Sequence, residues 1–219
     1  MKNNFYQLTN KANEELAELY IYGDITSWKW YEDEVCAYDL SKELNALEGK
    51  DLVVRINSYG GEVAQGLAIY NLLKGYAGNV TTLCDGFACS AASVIFMAGK
   101  QRKMPRSSLL MIHNAWSYAY GDSNELKKVA EDLEKITQPS IEIYKAVSNL
   151  SEDTIKEMMD AETWITADEA FEYGFATQIV EDNAKQSLQD GILAKLVLKN
   201  KELEKKLQKQ EPPKKGWFF

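Results

Sequence analysis

A hydroxyl and an imidazole 23 residues apart carry the strongest chemical signal in the chain. Ser90 lies in the small-residue run Gly86-Phe87-Ala88-Cys89-Ser90-Ala91-Ala92-Ser93, and His113 is the one histidine among 219 residues. Only imidazole has an unperturbed pKa near neutrality, so general-base chemistry at pH 7 falls to His113. Acyl transfer to a serine needs an exposed hydroxyl, a base within hydrogen-bond reach, and backbone N–H donors aimed at the developing oxyanion. Ser90 follows an apolar run and a glycine, at or near a helix start where unpaired N–H groups gather, which makes the N–H of Ala91 one donor. Ser58-Tyr59-Gly60-Gly61 is a strand-end turn whose glycines let N–H groups point into a cleft, and it offers the second half of an oxyanion hole.

The elements that must position these groups follow from the hydrophobic pattern. Residues 19–25 read as a short strand stopped by Gly23-Asp24, and 35–47 as a helix with Tyr38, Leu40, Leu44 and Leu47 on one face. The β-branched run 51–57 predicts a buried parallel strand ending at the glycine turn, followed by a helix over 63–75. Residues 80–85 predict a third strand broken by Gly86, and the small-residue segment through Ala98 has helix-forming composition. A basic turn over 100–106 leads into a strand over 107–113 whose last residue is the histidine. Leu126, Val129, Leu133, Ile136 and Ile143 mark a long amphipathic arm over 124–147, which Pro139 is expected to kink or split. Ser151 caps a further helix, and Thr166 starts one that ends at Gly174. Strand-helix alternation with short links predicts an α/β domain with parallel strands and right-handed crossovers.

Composition narrows the function classes. With 45% hydrophobic residues the chain can bury one sizeable core. The net charge of −8 hides an asymmetry, because residues 195–215 hold eight lysines and three glutamates while the body is correspondingly more acidic. An acidic body argues against nucleic-acid binding, which needs a basic face. Three cysteines at irregular spacing (Cys36, Cys84, Cys89), with no histidine cluster, predict neither a disulfide framework nor a metal site, and fit a reduced cytoplasmic setting. No stretch of about 18 apolar residues predicts a membrane span. Leu193, Leu196, Asn200, Leu203 and Leu207 form two coiled-coil heptads before Pro212-Pro213 and an aromatic terminus. The expected organisation is a flexible segment over 1–18, one catalytic domain over 19–182, and a basic heptad helix with an aromatic tail over 183–219. Ser93 and Cys89 are expected to pack in the interior, and Trp28, Trp30 and Trp116 to serve as core or subunit contacts.

Four ordered tracts resemble the ClpP family of serine peptidases: Ile56-Asn57-Ser58-Tyr59-Gly60-Gly61 with Gly66-Leu67-Ala68-Ile69-Tyr70, then the Ser90 run, then Met111-Ile112-His113-Asn114, then Trp164-Ile165-Thr166-Ala167-Asp168-Glu169-Ala170 with Tyr173-Gly174. The likeness spans roughly residues 19–182 and is strongest, at 57–61 and 160–164, to the ClpP-related head maturation proteases of tailed phages. It implies a ClpP/crotonase-type fold of repeated strand-helix units with a protruding helical handle. Ser90 would then be the nucleophile and His113 its base, with the N–H groups of Gly61 and Ala91 holding the oxyanion. The family's aspartate aligns with Glu162, and Asp160 is the rival third member. No cofactor or metal is implied. The implied partners are a scaffold or capsid precursor as protein substrate and further copies in a heptameric ring or double ring, with no nucleic acid or membrane. Such a protease would work without ATP, in the host cytoplasm or the assembling virion head. Tyr59, where housekeeping members carry proline, points away from that branch. The alternatives are a housekeeping subunit working with an ATP-dependent unfoldase, a crotonase-like acyl-CoA enzyme, and a catalytically silent ring protein.

Overall fold

Residues 51–58 alternate inward and half-buried positions, with Leu52, Val54, Ile56 and Ser58 facing in. The rest of the sheet is laid against this strand. The computed structural model describes residues 6–9, 16–27 and 36–181. Its elements run β1 (Tyr6–Thr9), β2 (Leu16–Ile21), α1 (Ala37–Asn45), β3 (Asp51–Ser58), α2 (Val63–Lys74), β4 (Val80–Cys89), α3 (Ala91–Phe96), β5 (Gln101–Pro105), β6 (Leu109–Ile112), α4 (Ser123–Val147), α5 (Glu152–Asp160), β7 (Thr163–Thr166), α6 (Ala167–Tyr173) and β8 (Gln178–Val180). The sheet order is β1-β2-β3-β4-β5-β8, with β6 pairing β4 and β7 beside the main path. Pairing is parallel from β2 to β8 and antiparallel at β1–β2 and β6–β7. The architecture is the mixed α/β arrangement that the strand-helix pattern predicts.

One sheet face is dry. Leu19, Ile21, Leu52, Val54 and Ile56 meet Leu40 and Leu44 of α1, Ile69 and Leu73 of α2, and Ile95 and Phe96 of α3 in one buried cluster. Each such side chain contributes about 1.5–3 kcal/mol through removal from water, before conformational entropy is set against it. The other face is half-exposed and polar, so β3 is one-sided where its apolar run predicts burial on both sides. Arg55 lies on that face, its guanidinium pairing with Asp85 of β4 through Nε at 2.7 Å and Nη2 at 2.6 Å, so a charged pair stands where an apolar run predicts hydrophobic packing.

Strand β4 is longer than the sequence predicts. It passes through Gly86 and forks, its first half pairing β5 at Thr81–Leu83 and its last residues pairing β6 at Phe87–Cys89. The β3–β4 register shifts between Ile56 and Ser58, and Asn57 Oδ1 accepts the Phe87 N–H at 3.1 Å in place of a ladder bond. A side chain at 86 would meet that Asn57 oxygen at 2.6 Å, so the glycine admits the amide here and does not stop the strand.

Two other expectations are corrected: the basic stretch 100–106 holds strand β5, and Tyr6–Thr9 forms β1 inside a segment expected to be flexible. Of the two outcomes expected at Pro139, the split does not occur, since α4 is one continuous helix of 25 residues with the proline inside it. Thr137, Ser140, Ile141 and Tyr144 are all buried around that proline, so packing against the domain sustains the helix where one backbone bond is lost. Asp122 and Glu125 form a capping box at its start. Among the described residues no helix is long and apolar enough to cross a membrane. The heptads over 193–207, Trp28 and Trp30 lie outside the described residues.

Candidate active site

The last residue of β4 hands the chain to α3 through Ser90, whose φ of 54° and ψ of −126° form a sharp strand-to-helix corner. A non-glycine residue there stores roughly 1–3 kcal/mol of strain and persists only where its surroundings over-determine it. Here the Ser90 N–H donates to Met111 O of β6 at 2.8 Å, and Ser90 O accepts the N–H groups of Ser93 at 2.9 Å and Val94 at 3.3 Å. The corner lifts the hydroxyl off the sheet end, the geometry a nucleophilic serine needs.

His113 follows β6 directly, and β6 runs parallel beside the end of β4 with Cys89 opposite Met111. That register brings the two side chains together: His113 Nε2 lies 2.7 Å from Ser90 Oγ, and both residues are partly buried. For Nε2 to accept the serine proton, the neutral ring must carry its own proton on Nδ1.

The glycine turn closes the third side. Gly60 has φ of 97° and Gly61 of 150°. A side chain at 60 would meet Cys89 O at 2.6 Å, Ser90 Cβ at 2.7 Å and Ala91 N at 3.0 Å, so only glycine lets this turn lie against the Ser90–Ala91 peptide. The turn is bridged to Ile25, whose N–H donates to Gly60 O at 2.9 Å and whose carbonyl accepts the Glu62 N–H at 2.8 Å. In such a parallel bridge the amide of the central residue points to the opposite side, so the Gly61 N–H is directed away from Ile25. Ser58 secures the base of the turn, its Oγ donating to Gly23 O at 2.6 Å and accepting the Gly60 N–H at 3.0 Å.

Asp160 ends α5, and Glu162 sits in the turn that leads from it into β7. The antiparallel ladder pairs Ile112 with Thr163, so His113 and Glu162 are the next residue on either side of that pair. Glu162 takes a positive φ of 49° as the chain turns into the strand. Asp160 instead accepts the Asn114 Nδ2–H at 2.6 Å, engaging the residue after the histidine. Both carboxylates are exposed.

Around this centre, three rings stack edge to face: Tyr59 on Phe87 at 5.7 Å and Phe87 on Trp164 at 5.6 Å. Burial pushes the Tyr59 phenol up to about 12, with the neighbouring Cys89 thiol adding to the rise, so it stays neutral at physiological pH. Cys89 is fully buried, as its sequence context predicts. Trp116 is not a core residue: it is exposed and stands edge-on to Tyr118 at 5.3 Å. Among the described residues no group of three or more His, Cys, Asp or Glu side chains is arranged to hold a metal ion.

Four contributors were not singled out from sequence. Ser58 and Asn114 act through short side-chain bonds, and a serine two residues before a Gly-Gly pair is the only local sign of the former. Thr137, whose Oγ1 accepts the Ala115 N–H at 3.1 Å, and Tyr144, bonded to Ser93, reach the site from the middle and the last turn of α4. No local pattern marks them, because their partners are more than 20 residues away in sequence.

The chain is similar to known proteins in sequence and in fold. The family profile described as Clp protease matches residues 11–183. The ATP-dependent Clp protease proteolytic subunit of Bacteroides fragilis is 34% identical over 155 residues, covering 68% of this chain and 74% of that one. The ATP-dependent Clp protease proteolytic subunit 3 of Rhodococcus jostii is 36% identical over 140 residues, covering 62% of this chain and 68% of its own length. A ClpP1 mutant from Listeria monocytogenes shares the fold, with a TM-score of 0.65 at 24% identity over 78% of this chain and 93% of that one.

Proposed function

The chain belongs to the Clp protease family, and from that premise we propose that it is a serine endopeptidase whose nucleophile is Ser90 and whose general base is His113. The observation that carries the reading is the 2.7 Å contact between Ser90 Oγ and His113 Nε2 at a strained strand-to-helix corner. Ser90 Oγ attacks the peptide carbonyl carbon while His113 Nε2 takes the hydroxyl proton. The carbonyl oxygen, now negative, turns toward the N–H groups of Gly61 and Ala91. The imidazolium then gives its proton to the leaving amine, and water enters to hydrolyse the acyl-serine by the same steps in reverse. Glu162 holds the Nδ1–H side of the imidazole, and Asp160 braces the loop through Asn114. None of these steps calls on a cofactor.

The protein assembles into a homo-oligomeric ring that confines cleavage to chains able to enter. Its substrates are scaffold or capsid precursors in phage head maturation, a reading supported by the tracts at 57–61 and 160–164 and by Tyr59. A second reading, the proteolytic subunit of an ATP-driven machine, is favoured by the printed names of the bacterial relatives. Purified wild-type and Ser90→Ala proteins, incubated with a head precursor without ATP and read by intact mass, separate the cases. Cleavage by the wild type alone is expected. Cleavage by both would remove Ser90 from the mechanism. Hydrolysis of short peptides, with precursor digestion only after an unfoldase and ATP are added, would favour the second reading.

A further inference from the structure

Two buried hydroxyls form a chain of hydrogen bonds that ends on the nucleophile's own carbonyl. Ser93 Oγ lies 2.6 Å from Ser90 O and 2.7 Å from the Tyr144 hydroxyl. Ser93 is fully buried and Tyr144 is 1% exposed. Counting protons fixes the direction. A carbonyl only accepts, so the single proton of Ser93 goes to Ser90 O, and Tyr144 must donate to Ser93 Oγ. Burial raises the Tyr144 phenol above its ordinary range, so the donor keeps its proton at physiological pH.

A helical serine bonded to the carbonyl three residues back is common. Two things set this one apart: the carbonyl belongs to Ser90, and a hydroxyl from a separate element, α4, feeds the bond. The carbonyl of Ser90 and the N–H of Ala91 are opposite ends of one planar peptide unit. Fixing the oxygen therefore aims the hydrogen, and donors on the oxygen polarise the amide so that its N–H binds an anion more strongly.

Building on the reading of Ala91 N–H as an oxyanion donor, we propose that Tyr144 and Ser93 are positioning residues that hold and polarise the Ser90–Ala91 peptide for the transition state. Neither touches substrate. Ser93, expected from sequence merely to pack, is the relay, and Tyr144 is the point at which the long helix α4 acts on the rate.

The experiment compares wild type, Tyr144→Phe, Ser93→Ala and the double variant. The readouts are a fluorogenic peptide for kcat and KM, a peptide aldehyde whose hemiacetal places an oxyanion at the site, and a non-covalent product peptide. Losing a whole oxyanion donor slows turnover roughly 10²–10³-fold, so a misaimed and less polarised one is expected to lower kcat roughly 5–50-fold with KM unchanged. Aldehyde affinity should fall by a similar factor while product-peptide affinity holds. Because Tyr144 acts through Ser93, the double variant should be no slower than Ser93→Ala. The pH midpoint of kcat/KM, set by the free enzyme's base, should not move.

Undiminished kcat in a folded, assembled Tyr144→Phe protein would overturn the inference, as would a change confined to KM or full additivity in the double variant. If Tyr144→Phe does not fold, Ser93→Ala removes one oxygen atom and carries the same test. Wild-type protein that takes up no fluorophosphonate at Ser90 would overturn the serine-peptidase reading itself. Labelled wild type with equally fast variants would overturn only the positioning role.

Discussion

At Ser90 the backbone pays for chemistry with strain, and the surrounding bonds to Met111, Ser93 and Val94 keep that strain in place. The pair Ser90 and His113 is legible in sequence because few residue types do this chemistry and one of them occurs once. The glycine turn is legible for a related reason, since only glycine fits against Ser90. The acid is harder to read: Asp160 at the end of α5 and Glu162 before β7 are two residues apart, and which reaches the imidazole depends on the β6–β7 register. That register places His113 just after Ile112 and Glu162 just before its partner Thr163, while Asp160 accepts from Asn114. Glu162→Gln is therefore expected to lower kcat roughly 10²–10⁴-fold, by analogy with loss of the orienting carboxylate in other serine triads. Asp160→Asn, which alters an exposed contact, should change it by no more than about threefold. Steady-state kinetics of the two variants decide the assignment, and the reverse ranking would make Asp160 the acid.

At the scale of elements, helices were the easier part to foresee. Residues 63–74 and 123–147 carry apolar faces long enough for a 3.6-residue period to show, and serine, aspartate or threonine marks the caps of α4, α5 and α6. Strands β5, β7 and β8 span five, four and three residues, too few for alternation to stand out, and β5 is further disguised by its basic residues. The forked β4 was cut short because Gly86 looks like a terminator until Asn57 is seen beside it. One polar clamp joins two elements: Glu152 of α5 accepts from Lys145 of α4 and from Lys156 of its own helix, each at 2.8 Å. The two ammonium groups, Lys145 first, hold the Glu152 carboxyl down at about 2 from an ordinary 4.5. A depressed carboxylate stabilises the fold above its unfolded pKa, and that contribution drains away as pH falls from about 4.5 through about 2. Thermal melts of Glu152→Gln are expected to decline less steeply than wild type across that window, by a small margin because the clamp is exposed. Parallel curves would show that the clamp adds nothing.

Over the whole molecule, the described part leaves apolar surface concentrated after the histidine. Trp116, Tyr118 and Tyr120 alternate along the extended stretch before α4, the last of them 98% exposed, and Leu126 and Ile136 continue the exposure along the helix. Exposed aromatic and aliphatic side chains gathered in one stretch suit an interface, and a ring of identical subunits would cover them. Joint Trp116→Ser and Ile136→Ser substitution is expected to shift the protein to smaller species in sedimentation velocity. An unchanged distribution would place the subunit contacts elsewhere. The same helix has one turn that is mechanically unlike the rest. Pro139 has no amide hydrogen, so the Lys135 carbonyl four residues earlier loses its usual i+4 donor, and this turn bends more readily than the rest of the helix. Thr137 and Tyr144 leave the helix on either side of that soft joint, one bound to the loop behind the imidazole and the other to the nucleophile's relay. A bend at Pro139 would thus pull on the loop after His113 and on the Ser90–Ala91 peptide by different amounts, because each is tied to a different side of the joint.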